Sequence, residues 1–469
     1  MKPILRTVHS TIPLAVFALT LTSCVDIAYE PPKLDAPTRF VAATKNENAA
    51  PVPTEWWRAF KDPRLDQLMQ VGLAQNLDVR QAVERIEEAQ ANVGVASAGL
   101  FPTITAGGGL RRGDTDGDGT YSKGYSTLTA SWMVDLFGKQ RASKRAAEAK
   151  LDAAYLTADV ARLTILSAIA SIYIDLRYYQ ASIALTKRSI EGRKKSLELT
   201  QIRKTAGDAT QLEVVQSEQL VAKAEAGLPE LEVNFESAVD RLATLTGQPV
   251  AMIRPKLQSG APQPAARFRV SVGLPAEVLR NRPDVRVAER NLAAAAQSVG
   301  IAKASLYPTL ELSGYLRPTY VVDVGHVQIW NAAAEAALTV FDGGKRQANL
   351  SAAQSQMKQA RLAWESAVLD AVEEVEKALA AYNRDDRNIA AQQKLVSTSR
   401  QVLELGRDSY GLGAGTFINI LDAERNYLEA QQSLAQAIRQ QASNYVTLCV
   451  AAAGDVEQPD KNSRQKPSS

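Results

Sequence analysis

The densest cluster of chemistry-bearing residues is Asp114-Thr115-Asp116-Gly117-Asp118-Gly119, which places carboxylates at alternate positions. An EF-hand calcium loop opens this way, but it closes on a glutamate at its twelfth position. Here that position is Tyr125 and no helical pattern flanks the run, so a turn-rich hairpin tip is expected instead. Gly411-x-Gly413-x-Gly415 could be read as a phosphate cradle. No strand precedes it, and its earlier counterpart keeps only Gly207, so it reads as a helix-to-helix turn. His9 and His326 are the only histidines, which all but excludes histidine catalysis or a multi-histidine metal site. Cys449 lies in an apolar run and reads as a packed thiol. No acid–base carboxylate pair, Ser/His/Asp set or metal-ligand spacing stands out, and no cofactor is implied. An enzyme is not expected.

Cys24 is the one residue whose setting suggests a covalent fate. Lys2 and Arg6 form a positive segment, Thr11 to Leu21 is a short apolar run, and Leu21-Thr22-Ser23-Cys24 follows. The apolar run falls short of the roughly 20 residues a spanning helix needs, so residues 1–23 read as a cleaved export signal. The last four residues resemble a bacterial lipobox, in which the cysteine is lipidated and becomes the new N-terminus. The alternative is an ordinary signal with a chance cysteine. Val25 stands where an inner-membrane lipoprotein usually carries aspartate, which points the anchor to the outer membrane. One acylated end supplies only a tether, since each buried methylene adds about 0.8 kcal/mol.

The elements that must position everything else are written twice. Residues 76–218 return as 282–424 at a constant offset of 206 (282 minus 76), with no insertion. Asp78-Val79-Arg80 returns as Asp284-Val285-Arg286, Phe101-Pro102-Thr103 as Tyr307-Pro308-Thr309, and Glu218 as Glu424. A doubled unit places the function in what the copies build together. The expected organisation is an extended, lipidated tether at 24–61, a first repeat at 62–247, a proline-rich linker at 248–275, a second repeat at 276–453 and a disordered tail at 454–469. The formal net charge of +3 falls to +1 once Lys2 and Arg6 are removed. That balance gives no footprint for nucleic acid.

Each copy holds two segments with period-two alternation, expected as strands at about 101–112 and 124–136, then 307–317 and 328–341. Ile104, Ala106, Gly108 and Leu110 alternate with Thr103 and Thr105; Leu128, Ala130, Trp132 and Val134 alternate with Thr127, Thr129 and Ser131. Leu310, Leu312 and Leu316 oppose Thr309, Glu311 and Arg317 in the second copy. About 9–11 residues is the length a tilted strand needs to cross a bilayer, although a half-buried soluble sheet alternates identically. The Ala332–Ala337 stretch could also be helix.

Long helices follow the strands, expected at 139–205 and 345–411, with shorter helical tracts at 62–99, 211–247 and 417–453. Ile165, Ile169, Ile172, Leu176, Tyr179 and Ile183 recur at alternating steps of four and three, the seam of a coiled coil. About 65 residues make a helix roughly 100 Å long. The simplest packing sets each long helix beside two stacked short ones, with turns at Gly207 and Gly413 at the end away from the strands. Four strands cannot seal a sheet in lipid, because open edges leave backbone groups that hydrocarbon cannot satisfy. Two chains would give a side-chain-filled barrel of eight strands, and a water-filled passage needs more. At least three chains are therefore expected, and three give twelve strands.

At this point the mature chain resembles the TolC/OprM-like outer-membrane efflux proteins, in their lipoprotein (NodT-like) branch. The marks are Cys24, Trp56-Trp57-x-x-Phe60-x-Asp62-Pro63-x-Leu65, Asn76-Leu77-Asp78-Val79, the paired Phe101-Pro102-Thr103 and Tyr307-Pro308-Thr309, Asp135-Leu136-Phe137-Gly138-Lys139, Phe341-Asp342-Gly343-Gly344-Lys345 and Ile420-Leu421-Asp422-Ala423. The resemblance implies a mixed α and β membrane protein, two repeats per chain. A homotrimer would form a twelve-stranded transmembrane barrel continued by a periplasmic α-helical coiled-coil barrel. It implies docking to a periplasmic adaptor and an inner-membrane pump, often of the resistance-nodulation-division class. By the same resemblance Asp422 matches an acidic gate residue, Tyr410 a tyrosine that latches neighbouring helices, and Glu213 a tip carboxylate. The Gly207 and Gly413 turns would meet the adaptor. Asn419 departs from the pattern, standing where such channels commonly have a second aspartate. An exit duct for type I protein secretion and a soluble coiled-coil scaffold are the alternative readings.

Overall fold

A computed structural model describes residues 29–33, 38–42, 50–115, 119–265, 270–271, 275–412 and 414–452. The export signal, Cys24, parts of the 24–61 tether, the acidic run at 116–118, parts of the linker, Gly413 and the tail lie outside the described residues. In chain order the elements are β1 (Ala50–Pro51), a 3₁₀ turn (Trp56–Phe60), α1 (Pro63–Gln75), α2 (Leu77–Ala98), β2 (Thr103–Thr115), β3 (Gly119–Val134), α3 (Lys139–Ala206), α4 (Gln211–Leu245), α5 (Val250–Gln258), β4 (Val270–Ser271), α6 (Pro275–Asn281), α7 (Pro283–Ala304), β5 (Thr309–Val321), β6 (Gly325–Ala337), α8 (Lys345–Gly411) and α9 (Phe417–Ala451). The 206-residue offset carries α2 onto α7, β2 onto β5 and α4 onto α9 without slipping a residue.

Two compact units share these elements. One holds Ile86–Ala154 and Val287–Trp364, with the four-stranded sheet; the other holds Lys33–Arg85, Tyr155–Arg286 and the chain from Glu365 on. In the sheet unit the strands run β2-β3-β5-β6, antiparallel throughout. Register ties the two copies together through β3 and β5, with Trp132 opposite Leu312 and Leu128 opposite Leu316. The sheet leaves β2 and β6 as open edges. Ala332–Ala337 pairs as strand, opposite Thr309–Gly314. In a sheet a run of small residues is held by its neighbours' backbone groups, which overrides its helical propensity.

The helical unit has its core where α1, α3, α4 and α9 meet the 3₁₀ turn. Trp56, Leu65, Met69, Ile169, Tyr173, Leu176, Leu242, Tyr445 and Cys449 are buried there. The Tyr445 hydroxyl donates to the Trp56 carbonyl at 3.1 Å, and the Phe60 ring meets Tyr445 edge-on at 5.3 Å. Burial pushes the Cys449 thiol up to about 12, so it stays protonated and unreactive at neutral pH, the packed thiol expected from its apolar run. Parts of the expected tether are pinned: Phe40 is buried against Val375 and Leu448, while the Val41 and Ala42 amides donate to Glu376 at 2.6 and 2.9 Å.

Several boundaries differ from expectation. The helical tract from residue 62 breaks at Asn76, which sits in extended backbone. Its side-chain oxygen accepts from the Asp78 and Val79 amides, capping α2, and its Nδ2 donates to the Leu245 carbonyl at 2.8 Å, capping the end of α4. Arg282 occupies the same repeat position in the second copy and donates to the Ala451 carbonyl at 2.8 Å, capping α9. One position thus reaches the end of a distant helix in each copy, satisfying a carbonyl that the helix leaves unpaired. The linker also contains α5, which buries Ile253 and Leu257. Strand β3 begins at Gly119 rather than near 124, and β6 ends at Ala337 rather than 341. Gly247 turns the chain at φ +63°, where a Cβ would lie 2.7 Å from the Gln75 carbonyl oxygen, so only glycine fits without strain.

Candidate functional site

The sheet separates two chemistries by residue parity. Cross-strand neighbours place Ile104, Ala106, Leu110, Leu128, Ala130, Trp132, Leu310, Leu312, Leu316 and Trp330 on one face. Thr103, Thr105, Arg111, Thr127, Thr129, Thr309, Glu311, Arg317 and Glu335 line the other. The apolar face is uncovered: Leu110 is 94% exposed, Trp330 72% and Ile104 65%. Exposed apolar area on this scale marks a surface that meets something other than water. On the polar face Arg317 Nε donates to Thr127 Oγ1 at 3.0 Å, and its guanidinium lies over the Tyr315 and Tyr125 rings. Alternation is weakest on β6, where Val327 and Ile329 fall on the polar side.

At the strand-to-helix junctions each long helix starts from an aspartate. Asp135 accepts from the Gln140 and Arg141 amides at 3.0 and 2.9 Å, and from Arg141 Nε at 3.1 Å. Asp342 repeats the device on α8, accepting from the Gly344 amide at 3.0 Å and from Arg346 Nε at 2.8 Å; the Arg346 guanidinium holds its carboxyl below the usual carboxylate range. An anionic group at a helix start is favoured by the exposed amides there.

The two helix-to-helix turns are built differently although their sequences align. The α3–α4 turn closes on Gly207 at φ +88°, with the Asp208 amide donating to the Arg203 carbonyl at 2.8 Å. Thr210 and Glu213 then form a reciprocal capping box, the Glu213 amide donating to the Thr210 hydroxyl at 3.3 Å and the Thr210 amide to Glu213 at 2.7 Å. In the second copy Asn419 replaces that glutamate, and Thr416 caps α9 with no side-chain bond. We expect Asn419→Glu to restore the box and stabilise the α9 start by about 0.5–1 kcal/mol, read as slower amide exchange over the first turn of α9. Unchanged exchange would argue against the capping account.

Tyr410, in the last turn of α8, packs on Phe417 of α9 at 5.6 Å, and the Arg203 guanidinium from α3 lies 4.2 Å from its ring centre. Burial raises its hydroxyl pKa, the Glu213 charge adds to this and Arg203 opposes it, so the hydroxyl remains a donor at neutral pH. Asp422 is half-exposed and pairs with Arg425 on its own helix at 2.9 Å, leaving the carboxylate at the surface. Asn419 is exposed. Gly413 and Cys24 lie outside the described residues.

Sequence reasoning missed the buried neighbour of Asp422. Glu424 is inside, accepting from Arg407 Nη2 of α8 at 2.8 Å and from Ser196 Oγ of α3 at 3.1 Å. With Arg193 it borders a cleft of about 310 Å³ between α3, α8 and α9. The repeat marks the position, since Glu218 and Glu424 align, but Glu218 is exposed. Sequence could not tell which copy buries its glutamate.

Comparison with known proteins agrees with this geometry over nearly the whole chain. The family model described as "Outer membrane efflux protein" matches residues 68–248 and 274–454. Nodulation protein T of Rhizobium leguminosarum bv. trifolii is 37% identical, over 93% of this chain and 95% of that protein. The antibiotic efflux pump outer membrane protein ArpC of Pseudomonas putida is 30% identical, over 95% of each. The open state of the Neisseria gonorrhoeae MtrE outer membrane channel superposes with a TM-score of 0.83 at 28% identity, covering 92% of this chain and 98% of that one.

Proposed function

Because this chain belongs to the outer membrane efflux protein family and is an outer-membrane efflux channel subunit, we propose a specific working assembly. Three copies join edge to edge, β6 of one against β2 of the next, and give twelve strands (three times four). The observation that supports this most directly is the sheet itself, with one uncovered apolar face and two open edges. In hydrocarbon those edges need partners, because nothing else there accepts or donates hydrogen bonds. The odd-numbered face, with its threonines, Glu311 and Arg317, then lines a wet passage, and the even-numbered face meets lipid.

In this reading the helices carry the passage into the periplasm. There a periplasmic adaptor, engaging the Gly207 and Gly413 turns, couples it to an inner-membrane pump, probed first among proton-driven pumps of the resistance-nodulation-division class. Lipidation of Cys24 tethers each chain to the outer membrane. Asp422, with Asn419 beside it, Tyr410 and Glu213, belongs to the constriction at the helical tips. Converging carboxylates repel one another and hold cations, so removing one of two acidic positions, as Asn419 does, weakens cation trapping.

Two measurements test the assembly. Mass determination in mild detergent should give a trimer; a monomer would end the edge-to-edge scheme. Deleting the gene should sensitise cells to small toxic compounds while leaving polypeptide export intact, and the reverse outcome would favour a type I secretion duct. For the tip, Asp422→Ala should raise single-channel conductance in planar bilayers. Unchanged conductance would remove Asp422 from the constriction.

A further inference from the structure

The cleft between α3, α8 and α9 holds more positive charge than its own residues balance, and we propose that it binds a small oxyanion bearing a phosphate or carboxylate group. Its charged walls are Arg188, Arg193, Arg407 and Glu424, three guanidiniums against one carboxylate. Glu424 is already engaged by Arg407 at 2.8 Å and by Ser196 at 3.1 Å. Arg193 is only 7% exposed. One of its nitrogens, Nη1, donates to the Leu220 carbonyl of α4 at 2.7 Å, while Nε is buried with no hydrogen-bond partner. A buried cation needs a compensating charge, and a buried donor left unpaired is costly.

The chemistry of the wall selects the ligand. Guanidinium presents planar donors that match two oxygens of a carboxylate or phosphate, and bonds of this charge-assisted kind are roughly twice as strong as neutral ones. Tyr427 and Gln431 add neutral donors to the same cleft. Burial lowers the Arg193 pKa and the Glu424 charge raises it, so a further anion would act in the direction that keeps Arg193 charged. The repeat does not require this cluster: the positions equivalent to Arg193 and Arg407 in the other copy are Ser399 and Gln201. The scaffold therefore forms without it. An anion here would join α3 to α8 beside the tip, and the site stands whether or not the trimeric channel scheme holds.

The test uses the full chain in detergent, at fixed pH and with ionic strength matched by chloride. Inorganic phosphate and succinate are titrated separately by calorimetry. Saturable binding at one site per chain is expected in at least one arm, and the arm that responds identifies the group as phosphate or carboxylate. Arg188→Gln and Arg193→Met should each weaken binding at least about tenfold. Arg188 is exposed, so its substitution keeps the test valid even where loss of Arg193 disturbs packing. Glu424→Gln, which frees Arg407, should tighten binding. No saturable heat in either arm, or affinity unmoved by both arginine substitutions, would overturn the proposal.

Discussion

Replacing Leu312 with arginine is expected to remove most of the protein from the outer membrane, while arginine at the adjacent Ser313 leaves its amount near wild type. Leu312 pairs with Trp132 on one side and Ala334 on the other, in the middle of the apolar face. Ser313 pairs with Ser131 and Ala333 and points to the opposite face. An arginine near the centre of a lipid-facing band costs about 2–4 kcal/mol, and a trimer bears that cost three times. On the wet face the same side chain is solvated and joins Arg317 and Glu311. Immunoblots of outer-membrane fractions, with trimer content read on native gels, distinguish the two. Equal loss in both variants, or in neither, would mean that the even-numbered face does not meet hydrocarbon.

The second large effect concerns Asp62. Its carboxylate caps α1 by accepting from the Arg64 amide at 3.0 Å and also accepts a short hydrogen bond from the Tyr173 hydroxyl. It is the carboxylate nearest Arg177, at 4.0 Å. Arg177 has no exposed surface; its nitrogens donate to Tyr173 at 2.9 and 2.6 Å, to Gln180 at 2.7 Å and to the Ser259 carbonyl at 3.1 Å. Asp62→Ala should therefore strand a buried cation, at about 3–5 kcal/mol, besides removing a helix cap. The double change Asp62→Ala with Arg177→Met should recover more than half of that loss, because no uncompensated charge remains. Thermal melts of detergent-extracted protein, followed by helical circular dichroism, provide the comparison. A double variant no more stable than Asp62→Ala would show that the ion pair is not the source of the cost.

The Asp62 cluster also shows why the first and second copies differ in ways that matter. The position equivalent to Arg177 is Asn383, which donates to the Ala42 carbonyl at 2.7 Å instead. Each copy uses the same helix position to fasten a different incoming segment, the Asp62 cap of α1 and the linker at Ser259 in one case and residues 38–42 in the other. Symmetric helices thus carry asymmetric fastenings.

Much of this protein was legible in one dimension. The 206-residue offset, the parity of Ile104 to Leu110 and of Leu310 to Leu316, and the seam from Ile165 to Ile183 are periodic, and periodicity is what one dimension records. Those patterns determined the order of strands and helices, the two-faced sheet and the need for companion chains. What tertiary structure alone decided depends on where separate helices come to lie beside one another. Asn76 and Arg282 look unrelated in sequence yet both reach a helix end about 170 residues away. Glu218 and Glu424 look identical, yet only Glu424 meets Arg407 and Ser196. A carboxylate's burial, partners and charge balance are set by side chains arriving from other helices, and no spacing along its own helix encodes them.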